Sequence, residues 1–494
     1  MCKDRPNLLF ILVDQMRACA MGCAGNSQIQ TPHLDQLASE GIVFEHAVSN
    51  IPICTPARAC LLTGRYPLSN TVLTNNSLLP NDMPSVGKLL KAAGYHTGYI
   101  GKWHLAGQAF IGATEANNGM DGWIPPGPMR HGFDFWAVHH CSHDYLNACY
   151  YRDTPEPIRI DGWEPDVQTD LALGFVRNQT RGQAAQSDPF ALFLSWGTPH
   201  TPFIAPSEYV QMHDPAALTL RANVAFPENG YTRSDSVAPP ESNGDPENIL
   251  RHWTANYYGA ISNIDYNVGR LLAELERLGL RDDTVVVFTS DHGEMLGSHG
   301  QLHKLQPWDE SILVPLLMRF PQTIACGRRT GMVFNQPDML PSLFGLMGLD
   351  VPEGVEGEDL SPILRGEMPE KERSGFLVWP CSAVTWGRKW GDGSLGGRGM
   401  PDGFLRPYRG IRTRTHTYVR DRSGPWFLYD NINDPWQLRN LAEEPGIPIP
   451  GELEDELDQW LVRTDDLFED TSYYKEQVDV NTGLCVHPEA LKRH

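Results

Sequence analysis

Residues 8–13 (LLFILV), 190–196 (FALFLSW) and 284–289 (TVVVFT) are apolar almost without interruption and rich in β-favouring side chains. A strand with one wet face alternates apolar and polar residues. A run that does not alternate has both faces covered, as in a parallel sheet with helices packed on either side. The segments between these runs supply the helices. Thr31-Pro32 opens one that Gly41 closes, through an N-cap, an N1 proline and a C′ glycine. Residues 84–93 form another, stopped by Gly94, before a strand over 96–100. A third, over 253–278, sets Ile261, Ile264, Val268, Leu271, Leu272 and Leu275 at helical spacing. The expected fold class is therefore α/β: a large central, mostly parallel sheet flanked by helices, with a smaller C-terminal α+β domain.

The large domain is expected over 1–370, with a loop-rich insertion at about 107–170 where Gly, Pro, Asn and aromatic residues break the pattern. Past residue 370 the runs shorten. Strands are expected over 375–380, 408–411 and 416–420, and a polar helix over 452–462, giving a small domain over 371–494 that contributes to the pocket, with 391–406 as a loop. No internal repeat is present.

Acidic residues number 61 and basic ones 40, a net charge of -21 that argues against nucleic acid or an anionic membrane surface as partner. Ten cysteines over 494 residues are too dilute for a disulfide scaffold. The apolar run after residue 7 ends at Asp14, far short of the roughly 20 residues of a membrane span. It reads as a strand rather than an export signal, so the expected compartment is the cytoplasm.

Polar residues gather where strands end. Asp14 follows the first run, Asp291 and His292 follow the third, and ligands of open α/β sheets bind at such carboxyl ends. Two carboxylates converging there repel unless a cation lies between them. The alternative is that one caps a helix and the other forms an ordinary ion pair. In Cys54-Thr55-Pro56-Ala57-Arg58 the proline pre-sets a first helical turn, whose free N–H groups favour anions, and Arg58 reaches the same side one turn on. The alternative for Cys54 is a buried structural thiol.

This stretch, with Leu61-Leu62-Thr63-Gly64-Arg65-Tyr66-Pro67, resembles the Cys-x-Pro-x-Arg signature of formylglycine-dependent (type I) sulfatases in the alkaline phosphatase superfamily. In family order the chain also supplies Asp14-Gln15, Gly101-Lys102-Trp103-His104, Thr198-Pro199-His200, Asp291-His292-Gly293 and Lys304, then Tyr429-Asp430 and residues 434–441. Gln15 replaces the commoner second aspartate and His292 the commoner asparagine.

The resemblance implies hydrolysis of a sulfate monoester, with a carbohydrate sulfate as substrate class, to alcohol and inorganic sulfate. Its nucleophile is formylglycine made from Cys54 by a separate maturation enzyme. It also implies one divalent metal on Asp14, Gln15, residue 54, Asp291 and His292. Ca²⁺ is the family expectation, whereas an imidazole ligand suits Mn²⁺ or Zn²⁺ better. Arg58, Lys102 and Lys304 would neutralise sulfate oxygens, His200 would serve the leaving alkoxide, and His104 would take the proton that releases sulfate. The Asp-His pair also resembles phosphonate monoester hydrolases, so a phosphonate monoester or phosphodiester hydrolase is the first alternative and a non-catalytic sulfated-glycan binder the second.

His139, His140, Cys141 and His143 match no standard zinc spacing. His140 and His143, with Asp144, read instead as lining of the substrate pocket. Trp386, Arg388, Trp390, Arg398 and Arg406 are candidates for gripping a sugar ring or second anion; the alternative is a Gly-rich loop with scattered side chains.

Overall fold

The structure is a computed structural model and describes residues 5–107, 121–180, 188–227, 242, 244–380, 406–479 and 484–491. Among them a nine-stranded sheet is built from β1 (Asn7–Asp14), β2 (Ile42–Val48), β3 (His96–Lys102), β4 (Phe135–His139), β7 (Phe190–Pro199), β8 (Thr284–Ser290), β9 (Leu313–Val314), β10 (Leu316–Arg319) and β11 (Arg328–Asn335). Its order is β11-β2-β10-β8-β1-β7-β3-β4, with β9 on β2. A two-stranded ribbon pairs β5 (Cys149–Tyr150) with β6 (Ile158–Arg159). The strands β8, β1, β7, β3 and β4 are all parallel. Only β9 and β10 run against their neighbours.

β1 is the middle of this sheet, and its residues divide between two cores. Leu8, Phe10 and Leu12 join one apolar cluster, while Leu9, Ile11 and Val13 join another on the opposite face. That is why the run does not alternate. One face is covered by helix Pro246–Arg277 through Ile261, Ile264, Val268 and Leu271, and the other by helices Cys54–Thr63, Val86–Ala92 and Met339–Leu346. Helix Pro246–Arg277 begins seven residues before the expected 253 because Asp245 caps it, accepting from Asn248 N–H at 3.1 Å, and Pro246 takes the first position. Among the described residues no helix is long and apolar enough to cross a membrane.

Two sequence expectations change. The stretch 107–170 contains β4, which extends the main sheet parallel to β3 with Lys102 opposite His139. Its five residues are too short a signal between Gly- and Pro-rich neighbours. In the C-terminal part, β12 (Gly375–Trp379), β13 (Tyr408–Arg412) and β14 (His416–Asp421) are joined by a fourth strand, β15 (Gly424–Asp430), in an antiparallel sheet. Helix Gly451–Arg463 covers its cluster of Phe376, Val378, Ile411, Tyr418 and Leu428 with Leu453, Leu457 and Trp460. Residues 391–405 of the expected loop lie outside the described residues.

Val13 pairs with Ser290, so Asp14 and Asp291 emerge side by side, and β7 and β3 deliver His200 and Lys102 from the next positions in the sheet. At Gly101 φ is +96°, and a Cβ there would sit on the carbonyl oxygen of Ser195. Gly101→Ala is expected to cost about 2–4 kcal/mol from left-handed strain and overpacking together. Urea unfolding measures it; an unchanged midpoint would mean that β3 moves away from β7 freely.

Candidate active site

Asp14, Cys54, Asp291 and His292 are each 0–1% exposed, and each offers one atom to a group whose members all lie within 4.8 Å of one another. Cys54 is the first residue of its helix, after an extended Ile53. Its Sγ is 3.2 Å from His292 Nε2 and 3.9 Å from Asp14 Oδ1. His292 Nε2 is in turn 3.6 Å from Asp14 Oδ1 and 3.7 Å from Asp291 Oδ1. The other ring nitrogen, Nδ1, lies 3.0 Å from the Gly293 carbonyl, which can only accept. Nδ1 therefore carries the proton in the neutral ring, and Nε2 turns its lone pair to the group.

Arg58 holds the two carboxylates from behind. Its Nε donates to Asp291 Oδ2 at 2.9 Å and its Nη2 to Asp14 Oδ2 at 3.2 Å, while Nη1 donates to the Lys102 carbonyl and to Ser195 Oγ. Lys102 Nζ is 2.6 Å from Asp14 Oδ2. The outer oxygens are thus neutralised by cations and both Oδ1 atoms are left facing inward. Burial alone would raise the Asp14 carboxyl, but the Lys102 and Arg58 cations hold it well below the usual carboxylate range. Burial and Asp14 likewise oppose ionisation of Cys54, yet Lys304 and Lys102 lower its thiol.

A second string of groups borders the first. Lys304 Nζ donates to His200 Nε2 at 2.9 Å and to Gln15 Oε1, while Gln15 Nε2 donates to a carboxylate oxygen of Glu294. This fixes the amide orientation, because lysine only donates and carboxylate only accepts. The His143 ring stacks on His200 with centroids 4.3 Å apart, and His140 meets His104 edge-on at 5.4 Å. Burial, with Lys102 next to His104 and Lys304 next to His200, drives both rings well below the ordinary histidine value. Both are therefore neutral; His104 Nδ1 makes no hydrogen bond among the described residues, whereas His200 Nε2 already accepts from Lys304 and its Nδ1 faces the Thr201 carbonyl.

Two inward carboxylate oxygens, an imidazole lone pair and the residue 54 side chain form a donor set suited to a divalent cation. The buried charge of the aspartates has the same need. The Sulfatase family model matches residues 6–349. The chain belongs to the sulfatase family. It is 35% identical over 479 residues to the ulvan-active sulfatase of Formosa agariphila, covering 95% of this chain and 84% of that protein. It is 26% identical to an N-acetylglucosamine-6-O-sulfatase of Bacteroides thetaiotaomicron, over 88% of this chain and 82% of that one. Among solved structures, the phosphonate monoester hydrolase of Agrobacterium radiobacter superposes with a TM-score of 0.70 at 25% identity, covering 95% and 97% of the two chains.

In this sulfatase Cys54, Arg58, Lys102, His104, His200, Lys304, Asp14, Asp291 and His292 all lie at the carboxyl end of the sheet. Two of the expected side chains are engaged differently from the sequence reading. Arg58, expected on sulfate oxygens, gives its donors to protein acceptors because two buried aspartates compete for it. Gln15 directs its carbonyl oxygen to Lys304 because Glu294 takes its amide nitrogen, and it reaches Asp291 Oδ1 through its backbone N–H at 3.1 Å. Of the pocket candidates, His140 and His143 touch site histidines, while Asp144 is exposed and binds Asn147. Arg406 pairs with Asp421 and lies 4.6 Å over Trp426. Trp386, Arg388, Trp390 and Arg398 lie outside the described residues.

Ser195 and Glu294 escaped the sequence reading. Ser195 did carry a signal, as a hydroxyl in an otherwise apolar buried strand. His139 pairs with Glu164 at 2.9 Å, away from any zinc arrangement with its neighbours.

Arg58→Leu removes the guanidinium shared by two buried carboxylates, leaving Asp14 to Lys102 alone, and is expected to cost about 3–5 kcal/mol, against about 1 kcal/mol for Ser195→Ala. Differential denaturation of the two variants decides it, and equal costs would contradict the pairing. Stability should also depend on pH. His140 is driven down to about 3, by burial first and Lys102 second, so the unfolded chain binds its proton more readily. Stability is then full above about pH 6.5, the unfolded value, and declines as pH falls toward 3. A denaturation midpoint flat from pH 7 to pH 5 would contradict this.

Proposed function

We propose that this sulfatase hydrolyses a sulfate monoester carried on a carbohydrate, releasing an alcohol and inorganic sulfate, with residue 54 as nucleophile after oxidation of Cys54 to formylglycine. The observation that carries the reading is the setting of Cys54: a helix N-terminus, 3.2 Å from His292 Nε2 and 3.9 Å from Asp14 Oδ1, with Lys102 and Lys304 near enough to lower its pKa. The carbohydrate class is supported by the names of the relatives, one active on ulvan and one on an N-acetylglucosamine sulfate. Because Cys54 is 1% exposed, a maturation enzyme must reach it before the fold closes.

Asp14, Asp291, His292 and residue 54 would hold one divalent cation, Ca²⁺ in this proposal. When bound, it supplies charge that acidifies the attacking hydroxyl and polarises the ester. Lys102 and Lys304 present ammonium groups to the sulfate oxygens. His200 and Lys304, 2.9 Å apart, form a proton-sharing pair from which the departing alkoxide takes its proton. The neutral His104 ring, buried next to Lys102, accepts the proton whose removal frees the product sulfate.

A second reading, hydrolysis of phosphonate monoesters, is favoured by one observation: the imidazole of His292 in the ligand group of a chain 25% identical to a phosphonate monoester hydrolase. The deciding experiment combines a peptide mass at position 54 with turnover of an aryl sulfate and an aryl phosphonate. The expected result is aldehyde in place of thiol, faster sulfate turnover, and a loss of at least about 1000-fold in Cys54→Ala. Faster phosphonate turnover would select the second reading, and activity indifferent to Cys54 would remove both. Chelation should abolish turnover, with Ca²⁺ restoring it better than Mn²⁺ or Zn²⁺.

A further inference from the structure

Lys304 is presented by a segment whose backbone is costly. Between residues 294 and 305, four non-glycine residues have left-handed φ: Leu296 (40°), His299 (52°), His303 (68°) and Leu305 (91°). The last two flank Lys304 directly. Such conformations cost of order 1 kcal/mol or more each and persist only where surrounding contacts over-determine them. The contacts here converge on one carboxylate. Glu294 is fully buried, its Oε1 accepts from the N–H groups of both Leu296 and His303 at 2.7 Å, and its Oε2 accepts from Gln15 Nε2. One side chain therefore closes the neck of the segment and ties it to the exit of β1. Gln15, held by that bond, turns its carbonyl oxygen to Lys304, whose other partner is His200.

We infer that Glu294 is a positioning residue: its carboxylate clamps the strained 294–305 segment and aligns Gln15, and so sets the Lys304 ammonium between Gln15 and His200. The hydrogen bonds of its carboxylate go to Gln15, Leu296 and His303, so it acts on the site through Gln15 and the segment rather than on Cys54 or the inward aspartate oxygens. The inference rests on the hydrolase reading only for its kinetic readout. Glu294→Gln is the informative change, since it keeps the shape but exchanges one acceptor oxygen for a donor, which cannot satisfy two N–H groups and an amide N–H together. The Met295 N–H to His303 carbonyl bond at 2.6 Å still crosses the neck, so the segment retains a hinge.

The test is a double-mutant cycle of E294Q with Lys304→Ala, scored by kcat and KM on an aryl sulfate at measured metal content and measured conversion of residue 54. The expected outcome is a kcat loss of about 100-fold for E294Q alone, because displacement of a catalytic group by about 1 Å costs that much. In the Lys304→Ala background the same change should cost less than about 3-fold, since its target is already gone. A full loss in both backgrounds, or none in either, overturns the inference. Acetylation of Lys304 by acetic anhydride, followed by mass spectrometry, gives a readout independent of turnover. Lys304 is 8% exposed and should be modified faster in E294Q; an unchanged rate counts against the clamp even if no sulfate ester is hydrolysed. Should E294Q not fold, E294D, too short to reach all three donors, takes its place in both measurements with the same expected signs.

Discussion

The guanidinium of Arg58 lies between two aspartates that are wholly out of water, and the architecture of the site depends on that contact. Asp14 and Asp291 arrive from neighbouring parallel strands in register, so their proximity follows from the sheet. Two carboxylates so close would repel. Arg58 and Lys102 remove the repulsion on one side only, by taking the Oδ2 atoms. What remains is a concentrated, inward-facing pair of oxygens next to an imidazole lone pair, and that asymmetry suits the group to a cation better than a closed salt bridge would.

The same economy recurs at the neighbouring string from Glu294 to His200. There an acidic residue, an amide, an ammonium and an imidazole alternate donor and acceptor, so each orientation is dictated by the next. Lys102 and Lys304 are anchored at different carboxyl ends of the sheet, one on Asp14 and the other on Gln15 and His200. Each ammonium is held by fixed partners, so the positive charge around the site is arranged in advance. Catalysis by prearranged charge requires this rigidity, and the closely packed β8–β1–β7–β3 core supplies it.

Much of this was legible in the chain. The three non-alternating runs required a buried parallel sheet, and each ended in the residues that form the site. The sequence reading also missed β2, β11 and the helix Glu164–Gln179, and with them several elements whose local signal is weak: the five-residue β4, the short antiparallel β9 and β10, and β15 behind a Gly-Pro pair. Their strand conformation is imposed by neighbours already in the sheet, which supply hydrogen-bond partners that propensity does not record.

Which residues gather at the site was legible in the sequence, because Cys54 and Arg58 open a helix, and Lys102, His104, His200, Asp291 and His292 end strands or directly follow them. What those groups are bonded to was decided only by tertiary structure. Arg58 faces aspartates instead of open solvent because β1 and β8 are adjacent in the sheet, although 277 positions separate Asp14 from Asp291 in the chain. Gln15 faces Lys304 because Glu294, from the other end of the large sheet's sequence, claims its amide nitrogen. Hydrogen-bond direction depends on which partner is present, and partners this distant are chosen by strand order and register, which no local pattern encodes.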